Sequence, residues 1–169
     1  MSVHPVRLLR RLTRLTVGEA RLLAEAQYLL IACQFARWRR PVGQLLRIAN
    51  ESADSASGAA QSGNPGTGDT AAPASHQVKL DEAALIAWAI TRAADFGLFR
   101  PKCLVRSLAL QRMLRRHLST GGELRLGFRM DNGRLEAHAW VELLGRVIGD
   151  SPAHVRTFTP ASGLRLVEQ

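Results

Sequence analysis

Residues 124–150 read LRLGFRMDNGRLEAHAWVELLGRVIGD, and the alternation within them decides the fold class. Leu124, Leu126, Phe128 and Met130 fall on one face of an extended chain, and Arg125 and Arg129 fall on the other. Asp131-Asn132-Gly133 is a hairpin turn, because Asn-Gly accepts the positive φ angles that a tight turn between twisted strands demands. A second strand runs through Ala137-His138-Ala139-Trp140-Val141-Glu142. After a turn at Leu143-Leu144-Gly145 a third runs Arg146-Val147-Ile148-Gly149-Asp150. The stretch is an antiparallel meander.

Upstream of the meander the period changes from two to that of a helix. Cys103-Leu104-Val105-Arg106-Ser107-Leu108-Ala109-Leu110-Gln111-Arg112-Met113-Leu114 forms one helix, whose start is marked by Pro101 and whose end is separated from the meander by Gly121-Gly122. An earlier helix begins at Leu80-Asp81-Glu82, with Asp81 as its cap and acids in the first turn, continues through Leu85, Trp88, Ala89 and Arg92, and ends at Gly97. Two helices, the second opening on a cysteine, followed by an antiparallel sheet, make an α+β domain.

Before this domain lies ANESADSASGAAQSGNPGTGDTAAPASHQ, residues 49–77, without one Val, Ile, Leu, Met, aromatic, Lys or Arg residue. Such a segment cannot offset its own ordering entropy by burying apolar surface, so a flexible linker is expected there. It divides the chain into an arginine-rich helical segment, 1–48, and a catalytic-sized domain, 78–169. In the first segment Leu8, Leu15, Leu22, Leu29 and Ala36 recur every seven residues, with Leu12, Ala26 and Cys33 between them. One or two amphipathic helices follow, with a break at Val17-Gly18 and an end at Trp38-Arg39-Arg40-Pro41. Their apolar stripe packs on the C-terminal domain or, in the sharper reading, receives a partner protein.

The chain carries a formal charge of +9. Residues 1–48 hold nine arginines against Glu19 and Glu25, and the C-terminal domain is less one-sided. A basic module binding nucleic acid or anionic lipid is therefore one reading. Against it, residues 1–48 hold only Tyr28, Phe35 and Trp38 as aromatics and no nucleic-acid motif. Neither a signal peptide nor a membrane span is expected, since the apolar run from Ala20 to Ala36 is broken by Arg21, Glu25 and Gln27. Two cysteines in dissimilar settings argue against a disulfide framework and fit a reducing cytoplasm. The five histidines do not cluster with them at zinc spacing.

The residues that carry chemistry are Cys103, His138 and Asp150. A thiol at the first turn of a helix meets unpaired backbone amides and the positive dipole end, which favour its thiolate. A nucleophile also needs a base, and the base a third group that fixes its tautomer. If Leu143-Leu144-Gly145 is a three-residue loop with Gly145 left-handed, Glu142 faces Arg146, Trp140 faces Ile148, and His138 faces Asp150 as a direct cross-strand neighbour. A two-residue loop would shift this pairing by one. Of the other histidines, His4 is terminal, His76 lies in the linker, and His117 stands far down the cysteine helix. His154, after Asp150-Ser151-Pro152, is the one rival.

Three segments together resemble the transglutaminase-like peptidases of lasso-peptide biosynthesis: Pro101-Lys102-Cys103-Leu104-Val105-Arg106-Ser107-Leu108-Ala109-Leu110, His138-Ala139-Trp140-Val141-Glu142 and Val147-Ile148-Gly149-Asp150. The arginine-rich helix before the domain is similar to that of the family's stand-alone leader peptidases. The resemblance implies a papain-like, transglutaminase-like core with the cysteine helix packed on the meander. It also implies a bacterial cytoplasmic enzyme that needs no cofactor and removes the leader of a ribosomally made precursor peptide, typically after a threonine-containing leader end. A separate leader-recognition protein and an ATP-dependent macrocyclase are the implied partners. Carried over by position, Cys103 attacks the scissile carbonyl, His138 moves the proton and Asp150 orients His138. The Cys103 amide offers one oxyanion donor, and Gln111, two turns on, is a poor side-chain donor. An acyl transferase would use the same three residues with an amine as acceptor.

Overall fold

The computed structural model describes residues 16–41, 44 and 72–161. Helix α1, Val17–Arg39, starts where Thr16 and Glu19 form a capping box: Thr16 Oγ1 accepts from the Glu19 amide at 3.2 Å, and Glu19 Oε2 accepts from the Thr16 amide at 2.8 Å. Val17-Gly18 is thus a helix start within the Thr-x-x-Glu pattern, and Arg39-Arg40-Pro41 is the end that the sequence suggests. Leu8, Leu12 and Leu15 lie outside the described residues.

Helix α2, Ala72–Phe96, begins eight residues before the expected Leu80. Asp81 is therefore no cap: it accepts a 2.9 Å hydrogen bond from Gln77 Nε2, one turn earlier within the helix. The last six residues assigned to the linker, 72–77, are helical as well, and linker residues 49–71 lie outside the described residues. Alanine-rich composition without core-facing side chains reads as tether, yet alanine is also the strongest helix former, so a helix anchored by Leu80 and Ile86 extends backwards through it. Helix α3, Cys103–Leu118, opens where expected, directly after Pro101-Lys102.

Strands β1, Glu123–Asp131, β2, Arg134–Leu143, and β3, Arg146–Ile148, form the meander; a four-residue helical turn α4, Pro152–Val155, and a short strand β4, Thr159–Pro160, are the last of the described elements. The sheet order is β3-β2-β1-β4. Asn132 and Gly133, with φ of 48° and 76°, make the tight turn between β1 and β2.

Among the described residues one hydrophobic core joins the three long helices to one face of the sheet. Leu29, Leu30 and Cys33 of α1 meet Ile86 and Ile90 of α2, Val105, Met113 and Leu114 of α3, and Leu124, Val141 and Ile148 of the sheet. The seam of α1 thus packs on the C-terminal helices, as the plainer of the two readings has it, and α1 is part of the same core. Small side chains on α2 (Ala83, Ala87, Ala89, Ala93 and Ala94) let its neighbours approach closely. At the surface, Glu25 of α1 pairs with Arg116 at 3.3 Å and with His117 at 3.0 Å. Among the described residues no helix is long and apolar enough to cross a membrane.

Candidate active site

Lys102 is extended (φ −71°, ψ 163°) and caps α3 without a side-chain hydrogen bond, and the first backbone bond of the helix runs from the Arg106 amide to the Lys102 carbonyl at 3.1 Å. The amides of Cys103, Leu104 and Val105 precede that bond and keep their donors for other partners, so the thiol of Cys103 sits at the positive end of a 16-residue helix. Cys103 is partly exposed, whereas Cys33 is fully buried in the core. Burial pushes the Cys33 thiol above its ordinary range, more than the Arg112 guanidinium, 3.4 Å from its Sγ, brings it down.

The expected pairing between β2 and β3 is off by one. Leu143 faces Arg146, Glu142 faces Val147 and Val141 faces Ile148, so the loop is the two-residue Leu144-Gly145, with φ of 51° and 73°. The Glu142–Arg146 pair that the longer loop implied does not form. Glu142 instead accepts from Trp140 Nε1 at 2.8 Å and lies 3.4 Å from Arg125 Nε on the other side of the strand. The Trp140–Ile148 pairing falls with it.

His138 and Asp150 nevertheless meet, with Nε2 and Oδ2 2.5 Å apart. The reason is Gly149. Strand β3 stops at Ile148, and Gly149 takes φ of 76°, a left-handed turn that swings Asp150 out of the strand path and back toward His138. The other carboxylate oxygen, Oδ1, accepts from the Ser151 amide at 2.7 Å and holds the group in place. With Nε2 committed to Asp150, the second ring nitrogen, Nδ1, is left for a reacting group.

The helix and the strand are clamped beside this pair: Ser107, one turn beyond Cys103, donates through Oγ to the carbonyl of Ala139 at 2.9 Å, and both residues are buried. Cys103, His138 and Asp150 all line one cavity of about 230 Å³, with Thr91 and Arg106 on its α2–α3 side and His154 on its α4 side. Gln111 is 1 % exposed and donates to the Gly122 carbonyl at 2.8 Å, which ties down the loop into β1.

Two aromatic residues missed in the sequence also shape the site. The Phe158 ring stacks on His138 with centroids 5.0 Å apart, and Trp140 flanks His138 at 6.2 Å. Room for them comes from Gly127, paired with His138 across β1 and β2, where a Cβ would lie 2.9 Å from both the Phe158 Cβ and the Trp140 ring. A glycine inside an alternating strand signals such a close approach. His154, the sequence rival, stands edge-on to His138 with ring centroids 4.9 Å apart. His117 belongs to the ion pair with Glu25, His76 is exposed on α2, and His4 lies outside the described residues.

A thiol at a helix start, in one cavity with an imidazole hydrogen-bonded to a carboxylate, is an arrangement suited to acyl-group chemistry. No curated protein and no solved structure shows significant similarity to the chain. A model of the transglutaminase-like superfamily matches residues 29–163, from the middle of α1 through β4. The helix–sheet architecture and the length of that match agree: the chain belongs to the transglutaminase-like superfamily, whose members are thiol peptidases and acyl transferases.

Proposed function

We propose that the chain is a cysteine endopeptidase that releases the leader from a lasso-peptide precursor in the bacterial cytoplasm. It works beside a separate leader-recognition protein and an ATP-dependent macrocyclase, without metal or organic cofactor. The observation that carries the reading is the 2.5 Å His138–Asp150 contact in the cavity that Cys103 lines at the start of α3. The pathway assignment rests on the motifs around Cys103, His138 and Asp150.

In the reaction the Cys103 thiol gives its proton to Nδ1 of His138, and the thiolate attacks the scissile carbonyl carbon. Asp150 holds the imidazolium through Nε2–H. Backbone donors of the first turn of α3 face the oxyanion that forms. Collapse of the tetrahedral intermediate breaks the C–N bond, and His138 returns the proton to the departing amine, which begins the core peptide. A water, deprotonated by His138, then hydrolyses the thioester and frees the leader carboxylate.

The test is incubation of the purified chain with a precursor peptide and its recognition protein, followed by mass spectrometry. One cleavage at the leader–core junction is expected, and none with Cys103→Ala. Retained cleavage by Cys103→Ala overturns the reading. The same measurement with an added primary amine distinguishes hydrolysis from acyl transfer: products heavier by the amine, with no free carboxylate, would identify a transferase.

A further inference from the structure

On the other side of α4 from Cys103 lies an open groove of about 720 Å³ that the hydrolytic mechanism does not use. Trp140 lines both this groove and the cavity with Cys103 and His138, so the two are neighbours across one indole. Residue 154 of the α4 turn faces the first cavity, and Val155 and Arg156 line the second.

The groove has two cations with nothing to neutralise them. Arg146 and Arg156 are exposed on its rim, and neither makes an ion pair or side-chain hydrogen bond among the described residues. Its one acid, Glu142, is already occupied by Trp140 Nε1 and Arg125. Its open apolar surface comes from Val147, Pro152 and Pro160, whereas Val155 and Phe158 are almost fully buried. Two guanidinium groups over an apolar floor match a peptide segment with carboxylate side chains and an apolar side chain between them, since arginine binds carboxylates through paired, charge-assisted hydrogen bonds. Nucleic acid fits less well. Trp140 is 2 % exposed and Phe158 6 %, so neither offers a face on which a base can stack.

We propose that this groove binds an acidic stretch of the peptide substrate and holds it against the site of cleavage. The proposal rests on the peptidase reading only for the identity of the occupant; the groove's preference for acidic peptide is measurable without turnover. In the Cys103→Ala background, fluorescence anisotropy compares a fluorescein-labelled hexapeptide, Asp-Glu-Leu-Asp-Glu-Leu, with its Asn/Gln counterpart. The salt is set at about 0.15 M, where charges more than about 8 Å apart are largely screened. The acidic probe should bind at least about tenfold more tightly, roughly 1.4 kcal/mol. Arg146→Gln/Arg156→Gln should remove that advantage. Arg39→Gln/Arg40→Gln, which removes the same charge from the exposed end of α1, should keep it.

Amide hydrogen exchange on the protein with unaltered arginines supplies a second measurement that does not depend on how the variants fold: the acidic peptide should slow exchange in residues 145–158 above all. A peptidase that fails the activity test but passes these two still has the groove. Equal affinity for the two probes, an advantage that falls equally in both double variants, protection elsewhere than residues 145–158, or displacement of the peptide by a short oligothymidylate at equal concentration would each overturn the proposal.

Discussion

Replacing Gly149 by alanine tests whether one backbone angle sets the His138–Asp150 contact. At φ of 76° a residue with a Cβ carries strain of about 1–2 kcal/mol. The new methyl group would also lie 2.9 Å from Leu110 Cδ2 and 3.5 Å from Ala87 Cβ, and overpacking of this sort costs about 1–3 kcal/mol. The sum, about 2–5 kcal/mol, is within what a domain can lose and still fold, and it is relieved if residues 149–150 rotate toward an extended path. That path carries Asp150 away from His138. Gly149→Ala should therefore lower the melting temperature and reduce single-turnover cleavage by up to about ten-thousandfold, the loss that removing an orienting carboxylate causes, while alkylation of Cys103 persists. Gly145→Ala is the control: φ is 73°, yet its Cβ would meet nothing within 4 Å, so it should cost about 1 kcal/mol and leave turnover unchanged. Normal turnover in Gly149→Ala, or equal loss in Gly145→Ala, measured well below both melting points, would refute the reasoning.

Cys33→Ala should cleave as the unaltered chain does, since its thiol is sealed in the core beside Arg112; a rate below about a third of normal would assign it a part in the chemistry. Asp150→Asn should lower single-turnover rates by orders of magnitude, whereas Glu142→Gln, which touches Trp140 and Arg125, should cost at most about 1 kcal/mol of stability with little change in rate. Leu30→Ala, at the centre of the α1 packing, should destabilise by about 2–5 kcal/mol in urea unfolding; a value near zero would mean that α1 is not part of the core. Burial raises the Glu25 carboxyl, but hydrogen bonds and charge from His117 and Arg116 outweigh it and hold the group below its ordinary range. A depressed carboxylate stabilises the fold above its unfolded pKa, and that stabilisation fades as the pH falls through the folded value. Glu25→Gln should thus flatten the loss of stability below about pH 4.5, by under about 1 kcal/mol for so exposed a pair.

Local chemistry was legible and distant chemistry was not. Asn132-Gly133 and Pro101 before Cys103 mark their turn and helix start by backbone preferences that no tertiary contact overrides. The two-residue β2–β3 loop is hidden from the sequence because its first residue is Leu144 at φ of 51°, a conformation that leucine rarely adopts. Two deviations then compensate: the shorter loop moves β3 by one residue, and the left-handed Gly149 restores the encounter between His138 and Asp150 that the wrong register had suggested. Thr16-Val17-Gly18-Glu19 contained the capping box, but Val-Gly has poor helix propensity and masked it. Phe158 reaches His138 only through the path of residues 150–158, so nothing in its own neighbourhood announces it, whereas His154 is legible as the one rival histidine.

The sealing of Cys33 has a consequence for oxidative damage. A sulfenic acid formed on Cys103 finds no accessible partner in Cys33, whose sulfur is fully buried on the core face of α1 beside Arg112 of α3. Recovery then depends on small-molecule thiols that can enter the cleft, and a sustained peroxide pulse drives the same sulfur to sulfinic and sulfonic acid, from which the chain cannot return. The core thus protects one sulfur by leaving the other without a resolving partner.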